Sequence, residues 1–142
     1  MTRTRKPADE QPRARARHLH AIRGAITVDR DESPLLLAAT RELLTEIAAR
    51  NTLRPHEIVS AIFTLTPDLV SDFPALAARQ LGWTEAALLC TMEIPVPKAL
   101  ARVIRVLIHA EFDEPRTTVS HVYLGAAVAL RPDLHRPALP NA

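Results

Sequence analysis

Residues 101–111, ARVIRVLIHAE, constrain the fold more than any other stretch of the chain. Val103, Ile104, Val106, Leu107 and Ile108 demand burial, yet Arg105 sits among them and cannot shed its charge. Read as a helix, Lys98, Arg102, Arg105 and His109 recur at helical spacing and make one basic stripe. Read as a strand, Val103, Arg105 and Leu107 share one face, and Ile104, Val106 and Ile108 share the other. The helix suits a nucleic-acid or partner surface; the strand places a cation within a sheet for a purpose. The β-branched residues of VIRV and Ile108 favour the strand.

The flanking sequence supplies the other elements. HLHAIRGAITVDRD (18–31) reads as a strand around Arg23-Gly24. ESPLLLAATRELLTEIAARN is the clearest helix, with Ser33 as cap, Pro34 in the first turn, and Leu36, Leu43, Leu44 and Ile47 as the apolar face. IVSAIFTLT (58–66) alternates Val59, Ala61, Phe63 and Leu65 and predicts a strand. SDFPALAARQLGW predicts a short helix, with Asp72 as cap candidate and Gly82 as its stop. AALLCTMEI (86–94) predicts a strand ending at Glu93, and VSHVYLGAAVALRPD (119–133) a last one. The order β-α-β-α-β-β-β predicts an α+β fold, a mixed sheet with helices on one face.

A chain of 142 residues, 47% hydrophobic and with only three glycines, is long enough for one domain with a real core. The lone cysteine, Cys90, excludes an internal disulfide framework and fits a reducing compartment, so the cytoplasm is expected. No apolar run approaches the roughly 18–20 residues of a membrane span, and the basic N-terminus has no apolar stretch behind it. Six of the 18 basic residues but only two of the 16 acidic ones fall in residues 1–20. The basic character therefore belongs to the arm and not to the body. With no branched aliphatic or aromatic residue before Leu19, residues 1–18 read as a disordered, solubilising extension, with nucleic-acid contact as the alternative. Residues 135–142 form a Pro-rich tail, and 19–134 the folded body.

Metal and nucleophile patterns do not emerge. The six histidines are scattered, no glycine-rich phosphate loop or GxSxG occurs, and Cys90 in an apolar run reads as packing. What stands out is a set of arginines embedded in apolar sequence: Arg23, Arg79, Arg105 and Arg131. Singly, each is expected to reach the surface or to pair with an acid. Several converging would form a pocket for an anion bearing carboxylates, since guanidinium forks match carboxylates. Glu93 and Tyr123 are the polar companions of such a pocket; alternatively, one is a surface charge and the other a core aromatic.

With these residues assembled, the sequence resembles the monofunctional chorismate mutases of the trimeric pseudo-α/β-barrel class, distinct from the all-helical ones. IRGAITVDRDE looks like that family's opening strand and turn, TPDLVSDFPALAARQLGW its central helix, and CTMEI its short strand. IRVLI looks like its arginine strand, and HVYL with AVALRPDL its last strand and tail, so the likeness spans residues 19–134. The resemblance implies a sheet of ferredoxin-like arrangement and a homotrimer with active sites between subunits. It implies conversion of chorismate to prephenate without cofactor or metal, in aromatic amino-acid biosynthesis. By resemblance, Arg23 falls on the arginine for the enolpyruvyl carboxylate, assisted by Tyr123. Arg105 falls on the arginine at the ether oxygen, and Glu93 on the glutamate at the ring hydroxyl, with Cys90 beside it. Phe73, Ala75 and Arg79 match the helix lining the cleft, and Leu130 and Arg131 the tail that closes over it.

Two positions depart from the family pattern: Leu76, often lysine, and Leu89, often threonine. They motivate one rival reading, a non-catalytic or different-ligand trimer on the same architecture. The other rival, a nucleic-acid-binding protein, needs the helical version of residues 98–109 and finds no net positive charge in the body.

Overall fold

The computed structural model describes residues 16–134; the readings made for residues 1–15 and 135–142 lie outside the described residues. The strands are β1 (His18–Thr27), β2 (Ile58–Leu65), β3 (Ala87–Met92), β4 (Val103–Phe112) and β5 (Val122–Tyr123); α1 (Ser33–Asn51) follows β1, and α2 (Pro74–Gln80) follows β2. The succession is the one read from the sequence. In space the strands run β3-β2-β4-β1-β5. The central β4 is antiparallel to β1 and β2, giving the split β-α-β of a ferredoxin-like sheet, and β3 and β5 add parallel edges.

Residues 103–112 are thus the middle strand of the sheet. Ile104, Val106, Ile108, Ala110 and Phe112 are buried on one row, while Arg105, Leu107, His109 and Glu111 lie on the other. No basic helical stripe exists here. Lys98 and Arg102 sit in left-handed backbone ahead of the strand (φ 65° and 51°), and the Arg102 Nε donates to the Val28 carbonyl at 2.9 Å. The nucleic-acid reading loses its helix.

The buried row packs under α1. Leu36, Leu43, Leu44 and Ile47 are fully buried with Ile22, Phe63, Ile104 and Ile108 in one core. Burying each such side chain contributes about 1.5–3 kcal/mol, so this layer carries most of the stability. α1 approaches β1 so closely that a Cβ at Gly24 would lie 2.7 Å from the Ile47 Cδ1. Glycine at that position sets the distance of the helix from the strand that bears Arg23. At the far end of α1, buried Asn51 donates to the Ile47 and Ser120 carbonyls (both 2.9 Å) and accepts the Ser120 N–H at 2.7 Å. Its amide is satisfied on both sides, which pins the chain entering β5 to the helix.

Four local expectations are corrected. Ser33 does not cap α1: Glu32 holds the cap position, and the Ser33 hydroxyl donates to Asp72 at 2.5 Å, tying the two helix entries together. Asp72 precedes the α2 cap, Phe73, and accepts its N–H at 2.7 Å. Val59 is exposed because the register shifts between Ile58 and Ser60, a bulge that breaks the alternation at its first member. The final strand shrinks to Val122–Tyr123: Gly125 turns the chain off the sheet at φ 59°, and Gly125–Leu130 and Pro132–Leu134 form 3-10 turns. Gly82 ends α2 as expected, at φ 92°.

Candidate active site

Strand alternation delivers the site to the sheet face that the helices leave open. On that row Arg105 of β4 lies opposite Thr64 of β2 and Ala25 of β1, and Arg23 lies opposite Leu107. A cleft of about 370 Å³ opens there, and its walls include Arg23, Glu93, Arg105, Tyr123, Leu130 and Arg131. These six residues, picked from scattered positions in the sequence, converge on one cavity. Thr64 and Ile62 of β2 complete its floor.

Glu93 enters from the end of β3, where its N–H donates to the Leu65 carbonyl at 2.8 Å. Its Oε1 lies 3.2 Å from the Arg105 Nε and also accepts the Thr64 hydroxyl. The Arg105 side chain is 48% exposed, so the ion pair itself adds little stability. Its consequence is orientation: it fixes a permanently charged fork at the cleft wall.

Arg23 is held through its backbone. Its N–H donates to the His121 Nδ1 at 2.9 Å, one residue before β5 begins, so the imidazole adds a rung to a very short strand pairing. An accepting Nδ1 places the ring proton on Nε2 of a neutral ring. Burial pushes the His121 pKa down, and the charges of Arg23 and Arg131 push it the same way. Arg131 is gripped by Asp133 in a two-pronged pair at 3.0 and 2.9 Å. That hydrogen bond holds the Asp133 carboxyl below its ordinary range against the opposing effect of burial, with help from the charges of Arg131 and Arg23. Tyr123 is buried with Ala25, Val103 and Ala127, and Leu130 and Leu134 pack against this cluster. The 3-10 turns that replaced the expected strand therefore cover the open face beside the cleft.

The remaining candidates lie elsewhere in the subunit. Ala75 is buried in the helix-side core, Arg79 is exposed in the last turn of α2, and Phe73 is 67% exposed just before that helix. Cys90 pairs with Phe63 and packs against the same core, not beside Glu93. Phe73 and Cys90 do share a second depression, of about 400 Å³, with Leu65, Leu69 and Met92. Leu89 is exposed on the edge strand, opposite Ile62.

Sequence reasoning missed Thr64, His121 and Asp133. Asp133 was within reach, two residues from Arg131 in RPD. Thr64 and His121 gain meaning only from strand register, which leaves no local signal. Among the described residues no group of three or more His, Cys, Asp or Glu side chains could hold a metal ion, and no helix is long and apolar enough to cross a membrane.

Comparison with known proteins places the chain in a family. The family model for chorismate mutase type I matches residues 19–134. The chain is 50% identical over 117 residues to the chorismate mutase AroH of Thermus thermophilus, covering 82% of this chain and 96% of that protein. It is 40% identical over 117 residues to the chorismate mutase AroH of Bacillus subtilis, covering 82% and 92%. A solved chorismate mutase from Clostridium thermocellum superposes with a TM-score of 0.74 at 45% identity, covering 78% of this chain and 98% of that one. The chain belongs to the type I chorismate mutase family.

Proposed function

We propose that this cleft converts chorismate to prephenate by a Claisen (3,3-sigmatropic) rearrangement, without cofactor or metal, in the aromatic amino-acid pathway of the cytoplasm. The observation that carries the reading is the Glu93–Arg105 pair, flanked in the same cleft by Arg23 and Arg131. A pericyclic rearrangement needs no nucleophile and no proton shuttle. It needs a substrate held compact and a site that stabilises charge as the carbon–oxygen bond breaks. Negative charge grows on the ether oxygen, so a fixed Arg105 guanidinium beside it favours the transition state over the ground state. Arg23, assisted by Tyr123 in the same cleft, binds the enolpyruvyl carboxylate; Glu93 accepts the ring hydroxyl; Leu130 and Arg131 close the entrance.

The working unit in this reading is a homotrimer. The cleft and the depression holding Phe73 and Cys90 are two half-sites of one chain, each open to solvent. The second is walled by exposed apolar side chains, Met92 (64% exposed) at the end of the β3 edge strand with Phe73 and Val70, and the chain leaving β3 adds exposed Ile94 and Val96. An edge strand of this kind is an assembly surface unless charges guard it. Docking it against the cleft of a neighbour brings Phe73 and Cys90 to the arginines, with the helix that carries Ala75 and Arg79 behind them. Met92→Asp is then expected to lower the molar mass measured by light scattering from three chains towards one. An unchanged mass would place the interface elsewhere. The activity is tested by mixing purified protein with chorismate and following prephenate through its acid conversion to phenylpyruvate. Turnover above a buffer blank is expected; none would leave a different-ligand protein on the same fold.

A further inference from the structure

Two groups that the proposed chemistry uses share one contact whose purpose that chemistry leaves open. The Thr64 hydroxyl and the Arg105 Nε both address Oε1 of Glu93. Thr64 lies opposite Arg105 on the neighbouring strand, and both line the cleft with Glu93. Nothing about core packing requires a hydroxyl at that place, because residue 64 faces away from the helices.

We infer that Thr64 is a positioning residue that keeps Glu93 and Arg105 from closing into a two-pronged ion pair. With Oε1 taken by the hydroxyl and by Nε, Oε2 of Glu93 stays free to accept a hydroxyl of the ligand. Among the described residues the guanidinium spends only Nε, which leaves its terminal nitrogens for an oxyanion. Without the hydroxyl, the carboxylate has only the guanidinium to satisfy it, and the preferred geometry of such a pair is the parallel fork. That fork would withdraw from the ligand the acceptor and the donors at once. Threonine suits the task because its branched side chain is at home in a strand while its hydroxyl sits on a stiff χ1.

The inference rests on the reaction proposed above, so its test has one arm that needs no turnover. Thr64→Val keeps the shape and removes the hydroxyl; Thr64→Ser keeps the hydroxyl. In the ligand-free crystal structure of Thr64→Val, Glu93 and Arg105 are expected to pair through both carboxylate oxygens, and in Thr64→Ser through Oε1 alone. A Glu93 carboxylate unmoved in Thr64→Val would overturn the inference whether or not the protein acts on chorismate. In the kinetic arm, Thr64→Val is expected to lose about 10- to 100-fold in kcat/KM at an unchanged melting temperature, the usual weight of a hydrogen bond to a charged group, with Thr64→Ser close to wild type. Thr64→Val at full activity, or Thr64→Ser as weak as Thr64→Val, would also overturn it. Wild-type protein without turnover would refute the proposed reaction and leave the structural arm to decide the role of Thr64.

Discussion

On its helix-covered face the sheet presents Ile22, Ile26, Phe63, Ile104 and Ile108, all buried; on the other face the same strands present Arg23, Thr64, Arg105 and the Ser60–His109 pair. One face excludes water and is satisfied by shape alone. The other is half-solvated, and on it Arg105 and Thr64 answer to Glu93 and Ser60 to His109, while Arg23 is anchored through its backbone N–H. Because alternation assigns neighbouring residues to opposite faces, stability and chemistry are interleaved at single-residue spacing yet act independently. Ile104 and Arg105 are adjacent in sequence, and a substitution at one is expected to leave the work of the other nearly intact.

The largest effect separating the two faces is expected from Phe63→Ala, which should cost about 3–5 kcal/mol in denaturant unfolding. Turnover per folded molecule should stay close to wild type, since residue 63 does not reach the cleft. A matching fall in turnover at low temperature would show the faces to be coupled. Smaller is the acid sensitivity of His121. Its pKa in the folded chain lies below the ordinary value of 6.5, so its contribution to stability is full above about 6.5 and is lost as the pH falls through the lower folded value. Protonation there removes the acceptor for the Arg23 N–H and adds a third positive charge beside Arg23 and Arg131. Melting temperatures between pH 7 and 5 should therefore fall less steeply in His121→Asn, whose amide oxygen accepts without titrating. Equal slopes would mean that other groups carry the acid response. The smallest effect is expected from removing residues 1–15: turnover and molar mass should not change, and a loss of either would make the arm part of the assembly.

How much of this was legible beforehand depends on the range of the signal. Element order followed from local periodicity, because the helix-facing residues Leu36, Leu43, Leu44 and Ile47 repeat at helical spacing and the strands at β2 and β4 alternate. The misread pieces were those set by non-local contact. Ser33 was drawn from capping to bridging by Asp72, 39 residues away. The stretch after Tyr123 had strand-like composition but no neighbour beyond β1 to pair with, and Gly125 led it over the open face instead. The arginines were visible as chemically odd insertions in apolar runs, whereas Thr64 looked like any strand threonine until register placed it against Arg105. Cys90 was expected beside Glu93, and alternation sends it to the opposite face of its own subunit.

Arg105 is the residue on which the chemistry of the open face turns. Arg105→Ala is expected to fold with a melting temperature near wild type, since the partly exposed ion pair to Glu93 contributes little. Its kcat for chorismate should fall by about 100- to 1,000-fold, the cost of removing one donor to a developing oxyanion. A variant that keeps near-full kcat, or one that loses activity only because it no longer folds, would contradict the assignment of chemistry to the open face of the sheet.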